Sequence, residues 1–341
     1  MSRLRTLLLF AALAGLAIVF AACGGSDSGS SDESPEAVLK GSTFEGIESA
    51  DLDLSVNVDV SGDEGGNVDA SVSGPFQSKG GDQLPELDLN AEAKGSVGGK
   101  DVDFDGGIVL VPNKAYVSYE GEDYEVDPTT FSFVQSAIEE AQQKSGAEGG
   151  TEGATKCQEE AAGKFSAEDF VDNLTNEGSA DVGGTETTKV SGDLDISGAI
   201  DAVLEVAESE ACRAQLAAAG PLPAKSEIED AKSEVNDAVK SAHVDIDVGD
   251  DNIVRGIDAQ LAIEPKNGGS GPKSVEIDLD LKLTDVNEEQ KISAPENAKP
   301  LSKLFLKLGV NPIELLGLLQ GEGGGESLGE LFEGLGASQL R

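Results

Sequence analysis

Between residues 51 and 60 the chain reads Asp-Leu-Asp-Leu-Ser-Val-Asn-Val-Asp-Val, with every apolar side chain at an even position. Residues 274–284 repeat the pattern, with Val275, Ile277, Leu279, Leu281 and Leu283 alternating with Glu276, Asp278, Asp280 and Lys282. The same period of two recurs at 86–94, 101–105, 244–248 and 257–263. Successive strand residues point to opposite sides, so these are strands with one dry and one wet face. One-sided strands belong to antiparallel sheet, since parallel strands are usually covered on both faces. Turn signals separate them at Gly62–Gly66, Gly98-Gly99, Gly249–Asn252 and Asn267–Gly271.

Helical segments interrupt the strands. Pro35–Lys40 predicts a short entry helix, and a run from Asp127-Pro128 to Lys144 places Phe131, Val134 and Ile138 along one side. Ser166–Leu174 opens on a capping sequence, Ser-Ala-Glu-Asp. Ser197–Ala219 and Ser226–Val239 are rich in Ala and Glu and also read as helix, with a short strand pair near 178–196 before them. The predicted order is strands, helices, a strand pair, helices and three closing strands. That order defines an α+β fold, a curved antiparallel sheet on a few helices with a helical insert at about 128–240. Leu301–Leu319 is Leu-rich, carries Lys303 and Lys307 and breaks at Asn311-Pro312; with the glycine-rich remainder it makes residues 301–341 an amphipathic, partly disordered tail, the alternatives being a lid over a cavity, a membrane-surface contact or a partner contact.

The first thirty residues carry an address. Arg3 and Arg5 precede an uncharged run from Leu7 to Phe20, then Ala21-Ala22 and Cys23. A basic, apolar and small-residue order reads as a cleaved export signal over 1–22. The apolar run, about 14 residues, is short of the roughly 20 a membrane-spanning helix needs. Gly24–Ser31 follows as a flexible tether, part of 23–33, and the folded domain is expected over 34–300. Phe20-Ala-Ala-Cys23 resembles a bacterial lipobox, which implies a diacylglycerol on Cys23, anchorage to the outer face of the cytoplasmic membrane and no other cofactor. Two acyl chains together hold a protein stably on a bilayer.

Charge and cysteines narrow the functional classes. Acids outnumber bases 65 to 24 and hydrophobic content is 38%. Loss of Arg3 and Arg5 moves the formal charge from −41 to −43. A field of that sign repels nucleic acid and keeps the chain soluble. The alternation assigns most of the acids to the wet face of the sheet. Outside the cytoplasm Cys157 and Cys212 form an even pair, most simply a disulfide that closes a long loop and contributes up to about 4 kcal/mol.

Motifs for catalysis are missing from the sequence. Asp101-Val-Asp-Phe-Asp-Gly106 matches the start of a calcium loop, but Pro112 stands where the clasping Glu belongs. It reads as an acidic strand edge followed by a glycine turn. Asp193-Leu-Asp-Ile-Ser-Gly198 fails likewise, with Leu204 at the twelfth position. His243 is the single histidine, and no nucleophile elbow, phosphate loop or zinc-protease motif occurs. The expectation is a non-enzyme with no metal site.

The lipobox, the entry helix, the opening strand Leu52–Val60, the closing strands from Ile253 to Val286 and the exit Ile292-Ser-Ala-Pro-Glu-Asn-Ala-Lys-Pro300 together resemble the LppX/LprAFG-type actinobacterial lipoproteins. The resemblance implies a LolA/LolB-like half-barrel whose cavity holds an acyl lipid or glycolipid. The candidate cavity wall is Leu52, Leu54, Val56, Val58, Leu87, Leu89, Ile277, Leu279 and Leu281. The alternative is a structural or interaction lipoprotein of the cell envelope, with a filled core and an acidic surface.

Overall fold

The computed structural model describes residues 34–44, 46–62, 65–79, 84–132, 135, 170–209, 212, 232, 233, 235, 237–265 and 272–309. The signal segment, Cys23 and its tether, Cys157 and the chain beyond 309 lie outside these residues. Helix α1 (Pro35–Gly41) leads into β1 (Ser49–Gly62), β2 (Gly66–Gln77), β3 (Glu86–Val97), β4 (Lys100–Val111), β5 (Lys114–Tyr119) and β6 (Glu122–Glu125). After Phe170 come β7 (Val171–Val182), β8 (Thr185–Leu194) and helix α2 (Ile196–Glu208). Then follow β9 (Val239–Gly249), β10 (Val254–Ile263), β11 (Pro272–Thr284), β12 (Lys299–Pro300) and helix α3 (Leu301–Leu308). The twelve strands form one curved, unclosed sheet in the order β12-β6-β5-β4-β3-β2-β1-β11-β10-β9-β8-β7, an α+β fold. Every pairing is antiparallel except β12 with β6.

Directly opposed residues of an antiparallel ladder share a face, so the register sorts every side chain. One row runs Ala91–Val72–Leu54–Leu281–Ile257–Ile246–Val190 across seven strands. The row displaced by one residue runs Glu92–Ser71–Ser55–Asp280–Asp258–Asp245–Ser191 on the same strands. The period-two sequence pattern therefore becomes one apolar and one acidic face. Three carboxylates lie abreast in the second row, an arrangement that costs stability unless cations intervene. Lys282 reaches Asp280 at 2.8 Å, and Lys189 sits 3.6 Å from both Asp245 and Asp247.

The core occupies the β8–β11 half of the apolar face. Val190, Val244, Ile246, Val254, Ile257 and Leu281 are buried there beneath Val38 and Leu39 of α1. Each such side chain contributes about 1.5–3 kcal/mol by leaving water. Helix α1 forms because Ser34 caps it, Pro35 fits its first turn, and Glu36 and Lys40 complement its ends. The β7–β8 hairpin curls back far enough that a Cβ on Gly183 would meet the Thr284 methyl of β11 at 2.3 Å.

Curvature of the other half depends on glycines inside strands. Gly95 has φ +148°, and a Cβ there would lie 2.0 Å from the Asn67 carbonyl oxygen of β2. Gly74, at φ +130°, would meet the Asp88 carbonyl at the same distance. The β2–β3 ladder passes over Gly74 and Pro75 and resumes at Phe76 opposite Leu87. Glycine kinks of this kind bend a sheet that would otherwise run flat.

Several sequence expectations need correction. Val171–Leu174, read as the end of a helix, is the start of β7. Val239, read as the last residue of a helix, opens β9. The strand pair expected near 178–196 is β7 and β8, longer than expected and joined to the main sheet through β9. No turn occurs at Gly106; β4 runs through Gly106 and Gly107 to Val111. Strands β2, β5 and β6 were not anticipated, and the sheet gains a last short strand from Lys299–Pro300. The expected helix from Pro128 does begin, with the Asp127 carboxylate accepting the Thr129 and Thr130 amides at 3.1 and 3.0 Å.

Gly95→Ala should destabilise the domain by about 1–3 kcal/mol, because the methyl group meets backbone, which cannot rotate away. Urea unfolding of the variant would show this as a lowered midpoint, and an unchanged midpoint would contradict the kink.

Candidate functional site

All nine residues predicted to wall a cavity lie on the apolar face, but their surroundings differ. Leu281 is buried in the core, and Leu52, Leu54 and Leu279 pack against it. Val56, Val58, Leu87, Leu89 and Ile277 are half-buried further along the sheet. On β3 and β4 the same face stands open among the described residues. Val97, Val102, Phe104 and Ile108 are 39%, 36%, 45% and 55% exposed. The sequence reading had placed Val102 and Phe104 on a strand without assigning them to the site, and had not singled out Val97 or Ile108. Val102 and Phe104 alternate with acids on β4, whereas Ile108 lies in the unbroken apolar run Ile108–Val111, where alternation gives no signal.

The open floor has two margins. On one side stand α1 and the curled β7–β8 hairpin. On the other, the row Leu89–Ile108–Val117–Tyr124 passes from an exposed Ile108 to a Tyr124 that is 1% exposed. Helix α3 lies at that margin, with Leu304 buried and Lys307 Nζ 5.2 Å from the centre of the Tyr119 ring. Phe104 folds along its own strand over Gly106, whose missing Cβ would lie 2.9 Å from the ring. Its ring centre is 6.5 Å from that of Tyr119, tilted 54°. The arrangement is a stretch of exposed apolar side chains on β3 and β4 with aromatic side chains toward the α3 margin. Among the described residues these side chains offer dispersion and exclusion of water.

The acidic face holds a depression of about 240 Å³, bordered by Asn57, Asp69, Glu92, Lys94, Asp258 and Asp278. It is the reverse of that apolar stretch and has none of its character. Its carboxylates are spread along strands, and no group of three or more metal-ligating side chains is found among the described residues. His243 stands on this face, its Nε2 3.4 Å from Asp245 and its Nδ1 3.8 Å from Asp193. Ser191 donates to Asp245 at 2.5 Å, so serine and histidine flank one carboxylate without forming a nucleophile–base pair. Asp101, Asp103 and Asp105 alternate along β4, and Asp195 caps α2 by accepting the Gly198 amide at 2.9 Å. Both calcium-loop matches are thereby accounted for by strand and cap. Cys212 is completely buried, while its expected partner Cys157 lies outside the described residues.

Three carboxyls are held above the ordinary carboxylate range. Burial comes first for each, reinforced at Asp51 by Asp285 and Asp53 and at Asp88 by Asp123. At Asp247, burial outweighs the lowering influence of Lys189 and Thr187. A raised carboxyl binds its proton in the folded state before the unfolded chain does. Its ionisation therefore penalises folding above the folded pKa, and the penalty fades as pH falls toward about 3.9.

The molecule is thus an unclosed, mostly antiparallel sheet with exposed apolar side chains on one face of β3 and β4 and carboxylates along the opposite face of β1, β9, β10 and β11; on β4 and β5 that opposite face also carries the buried Val109 and Tyr116. No helix of the described residues is long and apolar enough to cross a membrane. No family model matches the chain, and no curated protein does. Among solved structures, LprF from Mycobacterium bovis is similar at 14% identity over 79% of this chain and 99% of that one, with a TM-score of 0.31. The Mycobacterium tuberculosis lipoprotein LppX is similar at 11% identity over 77% of this chain and 100% of that one, also with a TM-score of 0.31. Both names fall within the family that the sequence resembles.

Two outcomes follow from these surroundings. Ile108→Ser should change stability by no more than about 0.5 kcal/mol, as at an exposed position. Ile246→Ala, in the closed half, should cost about 2–5 kcal/mol, both read by urea unfolding. As pH is lowered from 7 toward about 4, the carboxyls of Asp51, Asp88 and Asp247 should raise the thermal unfolding midpoint by taking up their protons, and Asp247→Asn should shrink that pH dependence.

Proposed function

We propose that this chain is an envelope lipoprotein that binds the acyl part of a lipid, or another elongated apolar ligand, in an apolar trough over β1–β4. The observation that carries the reading is the exposure of Val97, Val102, Phe104 and Ile108 side by side on one sheet face. Contiguous apolar surface of that kind is costly to leave wet and marks a binding groove in a soluble domain. The lining suits hydrocarbon, since an apolar floor with aromatic margins gains by burying methylenes at about 0.8 kcal/mol each. No catalytic role is assigned.

The anchor belongs to the same reading. The order of Arg3, Arg5, the apolar run, Ala21-Ala22 and Cys23 supports diacylglyceryl attachment at Cys23 and residence outside the cytoplasmic membrane. A Cys157–Cys212 disulfide fits that compartment, and the full burial of Cys212 supports it.

Native mass spectrometry of the soluble domain, purified from its own cell type, tests the ligand. Adducts of acyl-lipid mass that disappear on solvent extraction are expected. The extracted domain should then bind the neutral rod-shaped probe diphenylhexatriene. Phe104→Asp with Ile108→Asp should weaken that binding at least about tenfold while leaving the unfolding midpoint nearly unchanged. A clean apo mass together with no probe binding would favour the alternative, an interaction lipoprotein with its core filled.

A further inference from the structure

Helix α3 is attached to the sheet in an unusual way. Its connection to the ladder is β12, two residues pairing in parallel with Tyr124 and Glu125 of β6. One of the two is Pro300, which has no N–H to donate. The helix has no side-chain cap at its N-terminus and no acidic residue in its first turn. Leu304 is its one buried side chain, and Leu306 is 69% exposed. What supplements this slight packing is charge. Lys307 contacts Glu120 at 2.6 Å and Glu122 at 3.9 Å, while its ammonium lies over the Tyr119 ring. Lys299 pairs with Glu122, which also accepts the Tyr124 hydroxyl at 2.8 Å.

The location of that attachment gives it meaning. Tyr119 lies opposite Gly106, and Tyr124 opposite Val117, so both tyrosines belong to the apolar face. Tyr124 is almost wholly buried although Ile108, two strands away in the same row, is half in water. The cover on the trough's β6 margin is therefore held by pairs between exposed side chains, the weakest class of ion pair. The closed margin, by contrast, is held by core packing.

We propose that α3 is an electrostatically latched strap that opens and closes the β6 margin of the trough, with Lys307 as the latch. Release of Lys307 from Glu120 and Tyr119 frees the helix, uncovers Tyr119 and Tyr124, and extends the apolar floor from β4 to β6. An acyl chain could then enter sideways along the row Leu89–Ile108–Val117–Tyr124. This inference rests on the trough being the binding site.

The test compares the wild-type domain with Lys307→Glu and with the swap Lys307→Glu plus Glu120→Lys. Hydrogen exchange of backbone amides in Leu301–Leu308 should quicken about two- to fivefold in the single variant, and return toward wild type in the swap. Amides of β9 and β10 should be unaffected, which separates opening of the strap from general unfolding. Stopped-flow binding of diphenylhexatriene to the lipid-extracted domain should show a faster association rate in the single variant, by a similar factor, with the swap again restoring it. Unchanged exchange in α3, or faster exchange with an unaltered association rate, overturns the strap while leaving the trough reading intact. Absence of probe binding in all three proteins overturns the trough reading and the strap with it.

Discussion

Alternation with a period of two obliges this sheet to have one face that water rejects, and the rest of the molecule is a set of means for dealing with that face. Twelve strands lie in one layer, so the apolar face they share has to be covered by other parts of the chain. Coverage is achieved where the sheet covers itself. The β7–β8 hairpin curls toward β11, α1 fills the space beneath it, and Val190, Ile246, Ile257 and Leu281 become a dry core. On β3 and β4 no such return occurs among the described residues, and the same row of the pattern meets water.

The acidic face is the other product of the alternation. A content of 38% hydrophobic residues would be thin for a chain that buried them evenly. Here they are concentrated on one side, so a modest number suffices, and the carboxylates collect opposite. Their crowding is tempered by a few lysines placed between strands, Lys189 and Lys282 among them, and by Ser55 and Ser71 at the middle of the densest row. Where burial and crowding combine, as at Asp51, Asp88 and Asp247, the carboxyls hold their protons more tightly. Strand edges are managed separately. The edge strand β7 carries two register shifts, and β6 is covered by β12 and α3, both of which discourage pairing with another chain.

The two longest patterns, 51–60 and 274–284, were legible in the sequence because each face is chemically uniform over five alternations. Failure came where local spacing imitates another element. Val171 and Leu174 are three apart, a helical interval, and follow a capping sequence. In a regular strand they would face opposite ways. A register shift between Asp172 and Thr175 turns both toward the core, so a bulge produced the signature of a helix. Strand β2 was lost for a different reason: Gly66, Gly74 and Pro75 dilute its pattern, and those residues are what bend it. Glycine at 106 read as a turn because strands seldom contain it, yet Phe104 lies over the gap it leaves.

The identity of the apolar face could be read from the chain, whereas the extent of its covering could not. Which residues point inward is a local property, fixed by parity along each strand. Whether an inward residue is enclosed depends on curvature and on what crosses above it, and both are set by contacts between distant segments. Leu54 and Leu89 illustrate the difference: parity treats them alike, but Leu54 packs against the β8–β11 core and Leu89 lies beside the exposed Ile108. A wall predicted from alternation is therefore a list of residues on one face, and the trough is the part of that list the curl does not reach. The glycine kinks at 74 and 95 stand on β2 and β3, where the sheet passes from the packed core to the exposed side chains. Bending there lets one sheet be a packed core at one end and an open groove at the other.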